Sequence, residues 1–351
     1  MADGEIAGKS KEGKNMKKRI LTGDRPTGKL HLGHYVGSLK NRVALQDQYE
    51  TFLIVADLHT LTTKPEKKDT EKLEQNIRDQ VLDYFSVGID PGKGTVYIQS
   101  QIPEVAELAL IFGMLTTVPR LERMPTLKEV MRDAELKIPS YGLLGYPVLQ
   151  SADIMMVRAD LVPVGKDQVS HLEITKEIAR DFNRTYGEVF PVPEALIPED
   201  IPLLPGTDGV RKMSKSAGND IKLSNSSEEV EKKVMSMYTD PKRIHADDPG
   251  TVEGNPVFIY LDAFATESDK IQVTRYKDQY RKGQVGDIEV KKYLAKILNN
   301  FLDPIRKRRA EFEKQPELVD KILKEGTQKA REEAKKTLEE VKKAMKLDYF
   351  D

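Results

Sequence analysis

The sequence predicts an α/β fold: a parallel-sheet domain followed by an all-helical one. Three observations carry this. Short β-branched and apolar runs alternate with longer amphipathic segments through the first half of the chain, a Pro-rich connection interrupts them near residues 191–205, and beyond residue 224 the strand-like pattern is gone. Strands separated by helices require right-handed crossovers and therefore a parallel sheet.

The elements follow in order from Arg19. ILT at 20–22, TFLIVA at 51–56 and VYIQ at 96–99 read as buried strands, because β-branched residues cluster there between turn signals. One helix is expected from His31 to about residue 48. Another spans 66–87, where Leu73, Ile77, Val81, Tyr84 and Phe85 share a face. Pro191, Pro193, Pro198, Pro202 and Pro205, followed by Gly206 and Gly209, mark the internal boundary. Residues 287–312 and 329–345 read as helices, and the stripe Ala334, Leu338, Val341, Met345 predicts that the last packs back on the body. The expected division is a disordered tail over 1–18, a catalytic domain over 19–223 that includes a mobile loop at 206–220, and a helical domain over 224–351.

The 351 residues carry 56 Lys+Arg against 57 Asp+Glu, a net charge of −1, which excludes a uniformly basic nucleic-acid coat. Cys is absent, so disulfides, iron–sulfur clusters and thiolate zinc sites are excluded. The longest apolar stretch, 108–118, is broken by Gly113, Thr116 and Thr117 and falls short of the ~20 residues a bilayer requires. With no apolar block in residues 1–18, a secretory signal is not expected either, and the chain reads as a soluble cytoplasmic protein without membrane or DNA partners. Charge is uneven: residues 271–351 hold 21 Lys/Arg and 15 Asp/Glu, a net +6 against −7 for the rest. Within that stretch Arg306, Lys307, Arg308 and Arg309 form the densest run, readable as a solvated helix face or as phosphate contacts.

Two motifs carry chemistry. GDRPTGKL at 23–30 nearly satisfies the phosphate-loop pattern, but Leu30 stands where a Mg²⁺-binding hydroxyl is needed. His31-Leu32-Gly33-His34 follows and opens a helix. A helix N-terminus attracts anions, two imidazoles add donors, and Gly33, lacking a side chain, lets a nucleoside approach the backbone. The same histidines also fit a metal pair or a structural role, although no third ligand is evident. Far downstream, at the domain boundary, lies Lys212-Met213-Ser214-Lys215-Ser216. Two lysines on a Gly-rich loop can swing onto a polyphosphate and meet charge that develops in the transition state.

HLGH and KMSKS together resemble the two motifs of the class I aminoacyl-tRNA synthetases. Within that class the chain is similar to the bacterial-type tryptophanyl-tRNA synthetases from about Lys18 to Leu347. The stretches that carry the likeness are LTGDRPTGKLHLGHYVGSL (21–39), VGIDP (87–91), LERMPTLKE (121–129), YPVLQSADI (146–154), LVPVGKDQ (161–168), MYTDP (237–241) and VEGNPVF (252–258). The resemblance implies a Rossmann-like catalytic domain and a helical domain that binds the tRNA anticodon. The implied activity is ATP-dependent formation of tryptophanyl-adenylate and transfer to tRNA(Trp). ATP enters with Mg²⁺ as its substrate complex, and no structural metal is implied. A symmetric homodimer is also implied, with the tRNA acceptor stem on one subunit and the anticodon on the other.

The resemblance also implies site roles. His31, His34, Lys128, Lys212 and Lys215 serve the chemistry. Arg25, Pro26, Thr27, Gly33, Gly165, Lys166, Asp167, Met213, Ser214 and Ser216 complete the ATP site, Arg25 standing where many bacterial relatives have Gln. Gly23, His59, Tyr146, Gln150, Asp153 and Gln168 line the amino-acid pocket, and, on the strength of the local charge run, Arg306, Arg308 and Arg309 are expected to meet tRNA. Indole N–H is only a donor, so an ionised acceptor such as Asp153 suits it. Gln150, where many tryptophanyl enzymes have Met, also fits the phenol-binding arrangement of tyrosyl-tRNA synthetases. A synthetase-fold tRNA binder without catalysis is the more distant alternative.

Overall fold

The computed structural model describes residues 17–133, 136–165, 169–197, 204–215, 217–245 and 247–349. Five strands, β1 (Arg19–Asp24), β2 (Glu50–Val55), β3 (Gly94–Ile98), β4 (Leu161–Pro163) and β5 (Glu194–Leu196), form one sheet in the order β3-β2-β1-β4-β5. Every neighbouring pair is parallel. The order reverses between β1 and β4, and at such a switch point the crossover helices diverge and leave a crevice outside the carboxyl ends of the strands.

The three strands expected from sequence are present, and β4 and β5 join them. β5 lies inside the Pro-rich stretch that reads as a connection, because Glu194–Leu196 pairs with β4 over three residues. The segment expected as one helix over 66–87 is divided into Lys67–Thr70 and Leu73–Val87. The second of these stops at Gly88, whose φ of +109° lets its N–H turn back to the Phe85 carbonyl at 3.1 Å. Order begins within the segment read as a tail: the Lys18 carbonyl accepts the Glu50 N–H at 3.0 Å and Lys17 Nζ donates to the Asp47 carbonyl at 2.8 Å.

Beyond residue 224 the described residues form helices, chiefly Ser227–Met235, Pro256–Phe264, Lys270–Arg281, Asp287–Glu313 and Pro316–Met345. The first opens on a reciprocal cap, with the Glu229 N–H donating to Ser226 Oγ at 3.2 Å and the Ser226 N–H donating to Glu229 at 2.8 Å. Among the described residues two large apolar cores result, with a small third of Ile20, Leu45 and Leu161. One joins the inner face of helix Leu73–Val87 to the C-terminal helices through Val81, Phe85, Leu294 and Leu298. The other buries Ala330, Ala334, Leu338 and Val341 of the last helix beside Phe52, Tyr97 and Ile154 of the sheet domain. That helix begins at Pro316 rather than at 329.

Candidate active site

A cleft of about 880 Å³ opens at the switch point, beyond the ends of β1, β2 and β4. Gly23, Arg25, His31, Gly33 and His34 line one side, and Tyr146, Gln150 and Asp153 the other. At Gly23 a side chain could not be accommodated, since a Cβ there would lie 2.0 Å from the Ile54 carbonyl oxygen on β2.

His31 caps the helix that begins at Leu32, and its own backbone N–H donates to His34 Nδ1 at 3.2 Å. Because Nδ1 accepts, the proton of neutral His34 resides on Nε2, so the ring can donate from its other edge. Burial pushes the His34 pKa down to about 4, and burial, with the neighbouring His34 and Lys215 charges, pushes His31 down to about 2. Both rings are therefore neutral donors at pH 7. His31 Nδ1 is buried with no hydrogen-bond partner among the described residues.

The KMSKS segment lies against this turn. Gly33 N–H donates to Met213 Sδ at 3.3 Å, and a Cβ on Gly33 would approach the His31 ring at 3.0 Å and the same sulfur at 3.3 Å. Lys215 Nζ donates to the Gly28 carbonyl at 2.6 Å and to Thr27 Oγ1 at 3.2 Å, and burial pushes its pKa down to about 8. Lys212 is exposed at the cleft mouth. Asn219 organises the loop from inside: its Oδ1 accepts the Ser214 N–H at 2.8 Å, and its Nδ2 donates to Asp208 at 3.0 Å. Leu32 N–H donates to the Ile221 carbonyl at 2.9 Å and Leu223 N–H to the Leu30 carbonyl at 3.0 Å, so the two distant motifs are stitched together by backbone.

At the other end of the cleft Asp153 is 2% exposed, and burial pushes its carboxyl up against the pull of its donors. His59 Nε2 lies 2.9 Å from Oδ2, while Gln99 Nε2 donates to Oδ1 at 2.9 Å and Oδ2 at 2.8 Å. Gln99 Oε1 in turn accepts the Leu58 N–H at 3.1 Å, which fixes the amide's orientation. Tyr146 donates its hydroxyl to Thr126 Oγ1 at 2.9 Å, turning the ring edge toward His59 at a centroid distance of 6.4 Å. Gln150, one helical turn from Tyr146, is half-buried in the cleft wall.

Gly165 also lines the cleft, whereas Pro26 is buried beside it and Thr27 is exposed. Lys128 stands exposed on helix Pro125–Asp133, outside the lining. Lys166, Asp167, Gln168 and Ser216 lie outside the described residues. The reading of the basic run needs correction at Arg309. Arg309 is 4% exposed and ion-paired to Asp79 and Asp83, so it is not available to a phosphate backbone. Arg306 donates to Asn299 and to the Asn225 carbonyl, and Arg308 to the Ser86 carbonyl at 2.6 Å, while both remain half-exposed.

Sequence reasoning missed Gln99, Asn219 and the Asp24–Arg42 pair. Arg42 donates to Asp24 from two nitrogens at 2.5 and 3.1 Å, and Tyr84 adds a third bond at 2.8 Å. Burial alone would raise the Asp24 carboxyl; Arg42 and Tyr84 overcome it and hold it well below the usual carboxylate range. Polar residues inside an apolar helix pattern, such as Gln80 and Asp83 in 73–87, were the available signal. Among the described residues no group of three or more His, Asp or Glu side chains is placed to hold a metal ion.

A parallel sheet in this order, with a neutral histidine pair at the first βα turn and a lysine loop folded over it, defines a class I aminoacyl-tRNA synthetase fold and site. The model of the class I tRNA synthetases (W and Y) matches residues 13–303. A tryptophan–tRNA ligase of Treponema pallidum is 56% identical over 94% of this chain and 97% of its own length. Another from Borreliella burgdorferi is 52% identical over 93% of each. The crystal structure of tryptophanyl-tRNA synthetase from Campylobacter jejuni, complexed with ADP and tryptophan, superposes with a TM-score of 0.83 at 35% identity, covering 93% of this chain and 99% of that one. The chain belongs to the tryptophanyl-tRNA synthetase family. No described helix is long and apolar enough to cross a membrane.

Proposed function

We propose that this chain activates L-tryptophan with ATP and transfers it to tRNA(Trp). The observation that carries the reading is the closure of the lysine loop on the histidine turn, Met213 on Gly33 and Lys215 on Gly28, at one end of a cleft whose other end is Asp153. In the first step a carboxylate oxygen of tryptophan attacks the α-phosphorus of ATP, the bond to the bridging oxygen breaks, and pyrophosphate leaves with Mg²⁺. In the second, tRNA displaces AMP from the adenylate. The protein need not bond covalently to either substrate, so alignment and charge must supply the rate.

The residues divide that work. Neutral His31 and His34 donate hydrogen bonds to phosphate oxygens without adding charge to the ground state, and Gly33 leaves room for the nucleoside. Lys215, released from Gly28 and Thr27, and Lys212 meet the negative charge that collects on the leaving pyrophosphate. Asp153, oriented by Gln99 and His59, accepts the indole N–H. Its Oδ1 bears one hydrogen bond among the described residues, which leaves a lone pair for this purpose. The helical region contacts tRNA, and two copies of the chain make the active particle.

Tryptophan-dependent exchange of labelled pyrophosphate into ATP, run with each amino acid in turn, tests the reading. Exchange with tryptophan alone is expected; exchange with tyrosine at comparable efficiency would mean that Gln150 marks a phenol site.

A further inference from the structure

Asp83 lies in helix Leu73–Val87, 0% exposed and outside the cleft lining, with its carboxylate divided between two distant parts of the chain. Oδ2 accepts the backbone N–H of Leu30 at 2.6 Å. Oδ1 accepts Arg309 Nη1 at 2.5 Å, and the same guanidinium donates to Asp79 Oδ1 at 2.6 Å and to Glu313 at 2.8 Å. Arg309 belongs to the long helix Asp287–Glu313, 226 residues away in sequence.

A buried ion pair of this kind costs several kcal/mol to desolvate and is often no more stabilising than an apolar pair of equal volume. What it provides is a fixed arrangement. Leu30 immediately precedes His31, and its peptide is gripped on both sides: the N–H by Asp83 and the carbonyl by the N–H of Leu223, which closes the lysine loop. The charge of Lys215 also falls within the field of Asp83. One carboxylate thus backs the histidine turn and is anchored in the C-terminal helices.

We propose that Asp83 is a positioning residue for tryptophan activation, through which the helical part of the chain, acting by Arg309, sets the placement of His31 and His34 against ATP. The assignment rests on the activity proposed above. It predicts an effect confined to the ATP side, because Asp153 and Gln99 lie at the other end of the cleft and share no partner with Asp83 among the described residues.

The test is pyrophosphate exchange by full-length Asp83→Asn, Arg309→Met and the double variant, at a temperature where circular dichroism shows each folded. Asp83→Asn is expected to lower kcat about 10-fold or more and to raise the ATP KM while leaving the tryptophan KM within twofold, since small displacements of positioned groups cost rate steeply. Arg309→Met should reproduce the pattern, and the double variant should be no worse than the worse single. Should Asp83→Asn fail to fold, Arg309→Lys, which keeps the charge but loses the fork, is expected to show the same ATP-side shift in smaller degree. Folded variants with parental kcat and ATP KM, equal losses for both substrates, or additive losses in the double variant would each overturn the assignment. Absence of tryptophan-dependent exchange in the parent chain would instead overturn the activity, which keeps the two failures distinct.

Discussion

At Lys215 burial and chemistry pull in opposite directions. In the proposed activation the ammonium must be charged to meet pyrophosphate, yet its burial beside Gly28 brings its pKa down to about 8, where an ordinary lysine holds its proton past pH 10. The sign follows: the cation is present below pH 8 and is lost as pH rises through that value. We therefore expect kcat/KM for ATP, which reports the free enzyme, to fall above about pH 8 in the parent, and the fall to disappear in Lys215→Arg. A flat parental profile to pH 9.5 would show that Lys215 is not the group engaged. At the opposite end Asp153→Asn preserves shape but removes the charge from an acceptor held by Gln99 and His59. It should weaken tryptophan binding by about 1.5–3 kcal/mol, the range for a hydrogen bond to a charged group. The chain contains no Trp, so the shift and polarisation of emission from added tryptophan measure this directly. Equal affinity in the variant would remove Asp153 from indole recognition.

Among the elements, the C-terminal helix shows what a periodicity can and cannot convey. Its stripe of Ala334, Leu338 and Val341 was legible, because apolar residues at helical spacing on a charged helix leave few alternatives. Its closest contact was not. Gly326 passes so near the edge strand β3 that a Cβ there would lie 2.1 Å from the Val96 carbonyl oxygen, and one N–H of that strand's edge, at Ile98, is satisfied by donating to Thr327 Oγ1 at 3.2 Å. In a free helix Gly→Ala gains about 1 kcal/mol. Here Gly326→Ala should instead destabilise by about 1–3 kcal/mol, as overpacking does, and lower the thermal midpoint. A raised midpoint would show that the helix can move off the strand without loss. β4 and β5 were hidden for a different reason: three residues each are too few for an alternation to register, and β5 is framed by Pro191, Pro193 and Pro198. The HLGH and KMSKS motifs were legible because each is contiguous. Gln99, Asp83 and Arg309 were not, since their roles arise from contacts such as Gln99 to Asp153, 54 residues apart, and Asp83 to Arg309, 226 apart, that no local pattern encodes.

At the scale of the whole molecule, large apolar side chains stand exposed beside the helix that carries Asp153. Leu110 and Met114, one turn apart on helix Glu104–Leu115, are 59% and 70% exposed, and Val118, Ile138 and Tyr141 on adjoining segments are 53%, 82% and 84% exposed. Such a concentration is unusual outside an interface, and a self-complementary surface repeated by a twofold axis is the commonest way to bury it. Helix Glu104–Leu115 also packs on helix Tyr141–Met156, which carries Tyr146, Gln150 and Asp153, so pairing of two copies would brace the pocket proposed for tryptophan from behind. Light scattering at micromolar concentration is expected to give twice the 39.7 kDa of one chain. The Leu110→Asp, Met114→Asp double variant should run as a monomer and bind tryptophan more weakly, with the helices beyond residue 224 unaffected. A parental monomer would remove the dimer, and a monomeric variant with parental tryptophan affinity would show that each pocket stands without its partner.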